Sequence, residues 1–369
     1  MSDPRSVPFN RLKPGEDRAA VEEAIKRVID SGWFILGPEV ERFEEAFAEA
    51  SGTTHAVGVG TGTDAITLTL RALDIGPGDE VITAPLSAAY SALAVMMAGA
   101  RPVFADIDPE RLTLDPAAAA AAVTSRTRAL LPVHLYGQPA EMTPLMALAD
   151  RHHLALVEDC AQAHMATSEG RPVGTMGVAG AFSFYPTKNL GALGDGGAVV
   201  TDDPALAARI KRLRNGGQTT RYRHVEAGAN SRLDEMQAAI LRARLAHLGG
   251  WTTRRREIAA AYRGQLSRHV LRVLADPQEC EAHVHHLFVV TCDRRDELQR
   301  HLHARGVQTL IHYPIPIHHQ PPCMQLQRDP VGLAHSERHA AVALSLPCHP
   351  QMSDRHVAEV IDAVNTFAA

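Results

Sequence analysis

The chain has 369 residues, of which 45% are hydrophobic and 21% are charged, and its formal net charge is −5. An ordinary apolar fraction with nearly balanced charge excludes a disordered protein, and no apolar run reaches the ~20 residues that a membrane span requires. The mild negative charge excludes the basic field typical of nucleic-acid and membrane-surface binders. The first residues form no apolar leader, so we expect a cytoplasmic protein.

Two amphipathic helices are predicted over residues 16–29 and 38–49, where apolar side chains recur at helical spacing. From residue 55, short apolar runs alternate with helical patterns, which is typical of a mostly parallel sheet covered on both faces. The seven predicted strands cover residues 57–59, 81–83, 102–105, 129–133, 155–157, 181–184 and 198–201.

A smaller α/β domain is predicted in the last third of the chain. Residues 231–268 predict a long helical pair interrupted at Gly249-Gly250. After it come a strand at 287–291, a helix near 294–304, a strand at 307–311 and a final helix near 353–367. At roughly 150 residues per domain the length fits two domains, and we place them at residues 1–250 and 251–369.

A glycine-rich turn follows the first predicted strand and opens a helix over residues 65–73. It reads Gly58-Val59-Gly60-Thr61-Gly62-Thr63-Asp64. The free amides and the positive end of a helix favour a phosphate at such a turn. The turn lacks the required residues of a dinucleotide-binding fold and of a P-loop. An ordinary strand–helix turn remains the alternative.

Two later stretches carry residue types suited to cofactor chemistry. The strand that ends in Glu158-Asp159 places Asp159 where parallel sheets bind ligands, and we interpret Glu158, which faces the other way, as structural. Lys188 follows Ser183 in a glycine-rich turn, where burial can lower a lysine pKa and make the amine a nucleophile toward an aldehyde. A phosphate turn, an Asp and a Lys in this order match a pyridoxal phosphate site.

With these residues, the chain resembles the DegT/DnrJ-type (DegT/DnrJ/StrS) sugar aminotransferases over nearly its whole length. The motifs that carry the resemblance are Gly32-Trp33-Phe34-Ile35-Leu36-Gly37-Pro38, Thr61-Gly62-Thr63-Asp64-Ala65, Gly76-Pro77-Gly78-Asp79, Pro102-Val103-Phe104-Ala105-Asp106, Val133-His134-Leu135-Tyr136-Gly137-Gln138, Pro186-Thr187-Lys188-Asn189-Leu190-Gly191, Asn230-Ser231-Arg232-Leu233-Asp234-Glu235 and His312-Tyr313-Pro314. The resemblance implies an aspartate-aminotransferase-type fold (PLP fold type I), pyridoxal 5'-phosphate as cofactor, and amination of a nucleotide-linked keto sugar.

At the matched positions the resemblance also implies roles for single residues. Lys188 is expected to form the Schiff base and then to move the substrate proton, and Asp159 is expected to pair with the pyridine nitrogen. The further expected cofactor contacts are Gly62, Thr63, Asp64, Gln162, Ser183 and, from the neighbouring subunit, Asn230. The last of these implies a homodimer with shared active sites. The expected substrate contacts are His164, Tyr185, His312 and Tyr313.

One departure from the family concerns the aromatic residue that many relatives place over the cofactor ring. Here the segment reads Pro85-Leu86-Ser87-Ala88-Ala89-Tyr90, so the candidate for this contact is Tyr90, two residues later than in relatives. A packed tyrosine is the alternative interpretation.

The segment from His312 to Gln320 is similar to relatives that aminate carbon 3 of a 3-keto-6-deoxy sugar on a nucleoside diphosphate. We therefore favour that class over 4-keto sugars, with glutamate as the expected amino donor. A non-catalytic nucleotide-sugar-binding regulator and a sugar dehydratase of the same fold are the other hypotheses. The retained Lys188 argues against both.

The 20 histidines raise the question of a metal site. His283, His285 and His286 have strand-like spacing, but no Cys or carboxylate follows at a recognisable metal-ligand spacing, so we predict no metal. The five cysteines are widely spaced without a CxxC motif, which predicts free thiols.

Overall fold

The strands of this chain are placed by a computed structural model that describes residues 6–274 and 282–367. In chain order they are β1 (His55–Val59), β2 (Glu80–Thr83), β3 (Arg101–Phe104), β4 (Thr127–Leu131), β5 (Ala155–Asp159), β6 (Thr167–Ser168), β7 (Arg171–Pro172), β8 (Ala179–Ser183), β9 (Gly197–Thr201), β10 (Gln218–Thr220), β11 (Arg223–His224), β12 (Arg272–Val273), β13 (Phe288–Thr291) and β14 (Ala343–Leu346).

Seven of these strands form one sheet in the order β1-β9-β8-β5-β4-β2-β3. β9 runs antiparallel to both of its neighbours, and the other neighbouring pairs are parallel. Each of the seven predicted strands corresponds to one strand of this sheet, with ends that differ by at most two residues. The prediction of an α/β fold with a seven-stranded, mostly parallel sheet is confirmed.

The α-helices cover both faces of this sheet and flank a second one. They are α1 (Arg18–Ser31), α2 (Pro38–Ser51), α3 (Gly62–Ala72), α4 (Tyr90–Met97), α5 (Pro116–Ala121), α6 (Met142–His152), α7 (Pro204–Leu213), α8 (Glu235–Leu245), α9 (Leu248–Gln265), α10 (Arg295–Ala304), α11 (Ala334–Val342) and α12 (Asp354–Asn365). No helix among the described residues is long and apolar enough to cross a membrane.

The two faces of the sheet bury different apolar clusters, because successive side chains of a strand point to opposite sides. In β5, Val157 packs with α3 and α7 on one face, whereas Leu156 packs with α6 on the other. The same alternation turns Glu158 and Asp159 in opposite directions. Strand sequences that are apolar on both faces therefore produce the central layer, as the near-continuous apolar runs predicted.

Two predicted boundaries differ from the structure. The helical pair separates at residues 246–247, and Gly249 and Gly250 lie in the first turn of α9. That turn tolerates glycine because the first amides of a helix have no intrahelical acceptor to lose. The predicted strand at 307–311 is reduced to isolated bridges, Val7 with Val307 and Leu310 with Ser345.

The second sheet has the order β12-β13-β14 and packs against α9, α10 and α12. Val7, near the start of the described residues, belongs to the core of this sheet. The first segment of the chain therefore crosses to the C-terminal part. Residue 250 lies inside α9, and the domain division at that residue stays a prediction.

The cysteines of the described residues are free thiols, as predicted, and they are also buried: Cys160, Cys292, Cys323 and Cys348. Cys280 lies outside the described residues. Burial raises the pKa of the Cys160 thiol well above its usual value, with a smaller contribution from the neighbouring carboxylates. The Cys160 thiol is therefore a packing group rather than a nucleophile.

An aromatic cluster fixes α2 against β8, and it supplies a test of the fold. The ring of Phe47 lies 5.1 Å from those of Phe182 and Phe184 in edge-to-face contacts. Phe47→Ala should lower the free energy of unfolding by ~3–5 kcal/mol, measured by urea denaturation, because it leaves a cavity in this cluster. Val331→Ala, at a position that is 89% exposed, should change it by less than about 0.5 kcal/mol. Equal effects of the two substitutions would contradict the packing described here.

Candidate active site

A cavity of about 560 Å³ opens at one edge of the seven-stranded sheet. Residues that follow the carboxyl ends of β1, β2, β4, β5 and β8 meet there, as expected for ligand sites of parallel sheets. The residues that line the cavity include Gly62, Thr63, Ser87, Tyr90, Ser91, Asp159, Gln162, Ser183, Tyr185, Lys188, His286, His312 and Tyr313.

The N-terminus of α3 forms one end of the cavity. Thr61 caps the helix by accepting a hydrogen bond from the Asp64 amide at 3.0 Å, and the preceding amides remain available for an anion. A Cβ on Gly62 would lie 2.6 Å from the Cβ of Ser183, so glycine is required for this close approach. The Ser183 oxygen accepts from the Tyr185 amide at 3.3 Å, which leaves its proton for a ligand. This end of the cavity is suited to a phosphate.

Asp159 lies at the end of β5 and is held at both carboxylate oxygens. Ser91, the second residue of α4, donates to Oδ2 at 2.7 Å, and the Ala161 amide donates to Oδ1 at 3.1 Å. Asp159 is buried, and each oxygen keeps a second lone pair. The carboxylate is therefore fixed in one orientation and can still accept from a ligand nitrogen.

Lys188 places its amine in the same cavity. Burial lowers the pKa of Lys188 to about 8, although the negative charge of Asp159 opposes this change. At pH 7 about a tenth of an amine with this pKa is neutral, whereas an ordinary lysine is almost fully protonated. The site therefore holds a nucleophilic amine beside a fixed carboxylate.

Gln162 and Tyr313 form a hydrogen-bonded pair in the cavity wall. The Gln162 side chain accepts from the Tyr136 amide at 2.7 Å and donates to the Tyr313 hydroxyl at 2.9 Å. Burial raises the pKa of Tyr313 to about 12, with a smaller lowering by Gln162. The phenol is therefore protonated, and since its oxygen already accepts from Gln162, its proton is available to a ligand.

His286 and His312 complete the wall as neutral imidazoles. Burial lowers the pKa of His312 to about 4, and burial together with the charge of Lys188 lowers that of His286 well below its usual value. Asn189 donates to the Val284 carbonyl, so its oxygen accepts from His286 Nδ1 at 3.1 Å. These rings offer hydrogen bonds to a substrate but no positive charge.

Three residues expected at the site do not line the cavity. The Asp64 carboxylate accepts from the Ser231 hydroxyl at 2.8 Å, so its side chain ties α3 to the segment that carries Asn230. Asn230 is exposed at the surface of the chain. His164 is buried against Phe182 and Phe184, and burial lowers its pKa to about 3. His164 is therefore a neutral packing residue, which corrects the expected substrate contact.

Sequence reasoning missed Ser91 and His286 as lining residues. Ser91 lies next to Tyr90, the candidate aromatic contact, which is itself 64% exposed at the rim of the cavity. A serine in the first turn of α4, at the same sheet edge as Asp159, was the available signal. His286 gave no such signal, since it belongs to a segment about 100 residues beyond Lys188.

The chain is similar to known proteins over nearly its whole length. Residues 16–365 match the family described as the DegT/DnrJ/EryC1/StrS aminotransferase family. A relative from Streptomyces venezuelae, named dTDP-3-amino-3,4,6-trideoxy-alpha-D-glucose transaminase, is 50% identical over 98% of this chain and 96% of its own. The erythromycin biosynthesis sensory transduction protein EryC1 of Saccharopolyspora erythraea is 49% identical over 98% of this chain and 100% of its own.

Another relative, the dTDP-3-amino-3,6-dideoxy-alpha-D-galactopyranose transaminase of Aneurinibacillus thermoaerophilus, is 45% identical over 98% of this chain and 99% of its own. Among solved structures, Streptomyces venezuelae DesV in complex with a ketimine intermediate matches with a TM-score of 0.94 at 50% identity, over 98% of both chains. The ntda protein of Bacillus subtilis with bound cofactor PMP matches with a TM-score of 0.89 at 30% identity, over 98% of this chain and 85% of its own.

The lowered pKa of Lys188 predicts how its amine reacts in the ligand-free protein. Modification by a small amine-selective reagent should rise with pH with a midpoint near 8, because only the neutral amine attacks. Asp159→Asn should move this midpoint to lower pH, since it removes the charge that raises the Lys188 pKa. Peptide mass spectrometry measures both.

Lys26 is the internal control for this measurement. It is exposed, and its hydrogen bond with Asp30 raises its pKa above the ordinary value. Equal pH midpoints for the modification of Lys188 and Lys26 would contradict the lowered pKa of Lys188. A higher Lys188 midpoint in Asp159→Asn would contradict the effect of the Asp159 charge.

Proposed function

Because the chain belongs to the DegT/DnrJ/EryC1/StrS aminotransferase family, we propose that it transfers an amino group from glutamate to carbon 3 of a nucleotide-linked 3-keto-6-deoxy sugar. The observation that carries the proposal is the Lys188 amine, which has a lowered pKa and shares one cavity with the fixed carboxylate of Asp159. Such an amine can first react with an aldehyde and then, once released, serve as a general base.

The residues of the cavity fit pyridoxal 5'-phosphate, which supplies an electron sink for amine transfer when bound. Gly62, Thr63 and Ser183 would hold the phosphate at the start of α3, where the close approach of Gly62 to Ser183 leaves room for no side chain. Asp159 would hold the protonated pyridine nitrogen, and Gln162 would lie near the ring hydroxyl. Tyr90, at the rim, remains the proposed aromatic contact.

Side chains of the cavity would carry out proton transfer and sugar binding. Lys188 accepts and returns the proton at the reacting carbon, for which a pKa of about 8 is suited near neutral pH. Tyr185, His312 and Tyr313 would bind the sugar, since they line the same cavity as Lys188 and carry hydrogen-bonding groups. Two half-reactions at one lysine predict ping-pong kinetics.

The substrate class follows from relatives whose names describe 3-amino sugar transaminases, at 50% and 45% identity. These support the carbon-3 preference over 4-keto sugars. The name of the relative EryC1 describes sensory transduction, which is consistent with the alternative hypothesis of a nucleotide-sugar-binding regulator. The intact arrangement of Lys188, Asp159 and Ser183 in one cavity favours an enzyme, because binding alone does not require a nucleophilic amine.

The site is also proposed to be completed by a second copy of the chain. Among the described lining residues, Lys188 is the one lysine and there is no arginine, whereas the proposed cofactor and substrate carry several phosphate groups. The hairpin of β10 and β11 presents Arg221 and Arg223 at the surface, close in sequence to Asn230. Trp33 and Phe34 are also exposed, as expected of a protein interface. A cytoplasmic homodimer with shared active sites accounts for these features.

Substrate specificity is tested with a panel of nucleotide-linked 3-keto and 4-keto sugars, with glutamate as donor and identification of the product. We expect the 3-keto sugars to be aminated faster, and Lys188→Ala to lower turnover about 100-fold or more. Lys26→Ala, which changes an exposed lysine, should be unaffected. Equal activity on both sugar classes would overturn the carbon-3 assignment. A Lys188→Ala protein that keeps its biological role would favour the regulator.

Shared active sites are tested by mixing two impaired variants. Lys188→Ala subunits lack the amine, and Asn230→Asp subunits place a negative charge where the neighbouring subunit's phosphate is proposed to bind. A mixed dimer should contain one intact site, so refolded mixtures should exceed the summed activity of the separate variants. Mixtures that show only this sum, although mass measurement demonstrates mixed dimers, would contradict the shared site.

A further inference from the structure

A second cavity of about 280 Å³ adjoins the candidate active site. Thr187, His286 and His312 line both cavities and therefore form the boundary between them. Most of the remaining wall is apolar and includes Leu310 and Leu346. The charged side chain in this wall is that of Arg255, from α9.

Arg255 is a buried cation with no acidic partner among the described residues. It is only 4% exposed, and its Nη1 donates to the backbone carbonyls of His285, His286 and Cys348. Its Nε has no hydrogen-bond partner. Among the residues that the structure describes, no carboxylate lies within ion-pair distance of this guanidinium. The carbonyls therefore fix its position without neutralising its charge.

An unpaired buried charge is costly, because it loses hydration without a compensating partner. A protein that holds such a charge in a cavity wall gains when an anion occupies the cavity. The cavity wall that carries Arg255 shares Thr187, His286 and His312 with the cavity that holds the Lys188 amine. An anion beside Arg255 would therefore lie across this shared boundary from the reacting amine.

We propose that Arg255 binds the distal carboxylate of a dicarboxylic amino donor such as glutamate. The donor's amino end would meet the Lys188 site, its methylene groups would pass the boundary formed by His286 and His312, and its distal carboxylate would lie in the second cavity. A planar guanidinium matches a carboxylate with two parallel hydrogen bonds. This inference rests on the proposed function and adds to it the residue that selects the donor.

Glutamine is the matched comparison ligand, since it replaces the distal carboxylate with an uncharged amide of the same shape. We expect the wild-type protein with bound cofactor to react faster with glutamate than with glutamine, followed by the absorbance of the cofactor. Arg255→Met should reduce the glutamate-to-glutamine ratio about tenfold or more, because a hydrogen-bonded charge pair is lost. The rate with glutamine should fall less, because its uncharged amide loses only a weaker hydrogen bond to the guanidinium.

Two further variants separate donor binding from a structural role of Arg255. Arg256→Met removes a neighbouring arginine whose Nε donates to the His283 carbonyl, and its ratio should stay at the wild-type value. Leu310→Phe narrows the second cavity and keeps Arg255, so it should lower the rate with glutamate more than with glutamine. This variant decides the question if Arg255→Met fails to fold.

Glutarate, which has two carboxylates and no amino group, gives a readout that does not depend on turnover. It should raise the melting temperature of the wild-type and Arg256→Met proteins more than butyrate does, and this difference should vanish in Arg255→Met.

A folded Arg255→Met protein with an unchanged glutamate-to-glutamine ratio would overturn the inference. So would equal losses with both donors, which would indicate a structural role or binding of the α-carboxylate. A wild-type protein that reacts with no amino donor would instead overturn the proposed function.

Discussion

The buried carboxylate of Glu158 is the interaction on which the geometry of the site depends. It accepts hydrogen bonds from His134 Nε2 at 3.0 Å and from the backbone amides of Gly174, Met176 and Gly177 at 2.8 Å. Burial raises the pKa of Glu158, but these bonds outweigh it and lower the pKa overall. The end of β5 is thereby anchored on one face, and the alternation of the strand turns Asp159 into the cavity on the other.

The position of Asp159, which the anchoring of Glu158 fixes, determines the electrostatics of the site. Burial lowers the pKa of Lys188 to about 8, and the negative charge of Asp159 limits this decrease. The lining histidines are neutral, so one chain brings few positive charges to a site proposed to bind several phosphates. The missing charge has two proposed sources: the exposed hairpin of a second subunit for the phosphates, and Arg255 for the donor carboxylate.

Much of this could be predicted from the sequence, because strand ends and glycine turns are local signals. The apolar runs predicted all seven strands of the sheet, and strand ends followed by Asp159 or Lys188 predicted where those side chains meet. The direction in which a side chain points after a strand end was harder to predict. His164 follows Asp159 by five residues, but its ring packs against Phe182 and Phe184. The sequence motif does not show whether this side chain points into the cavity or into the core.

Contacts between distant segments were out of reach of sequence patterns. Arg255 meets the carbonyls of His285 and Cys348, which lie 30 and 93 residues away and carry no side-chain signal. The helical boundary was misplaced because Gly249 and Gly250 were interpreted as a break, although they occupy the first turn of α9.

The proposed reaction moves the amino nitrogen of glutamate to carbon 3 of a nucleotide-linked sugar at Lys188. Incubation with ¹⁵N-glutamate and a nucleotide-linked 3-keto-6-deoxy sugar, followed by NMR of the product, traces that nitrogen. We expect ¹⁵N bonded to carbon 3 of the sugar. Label that stays in glutamate, or a product with ¹⁵N at another carbon, would contradict it.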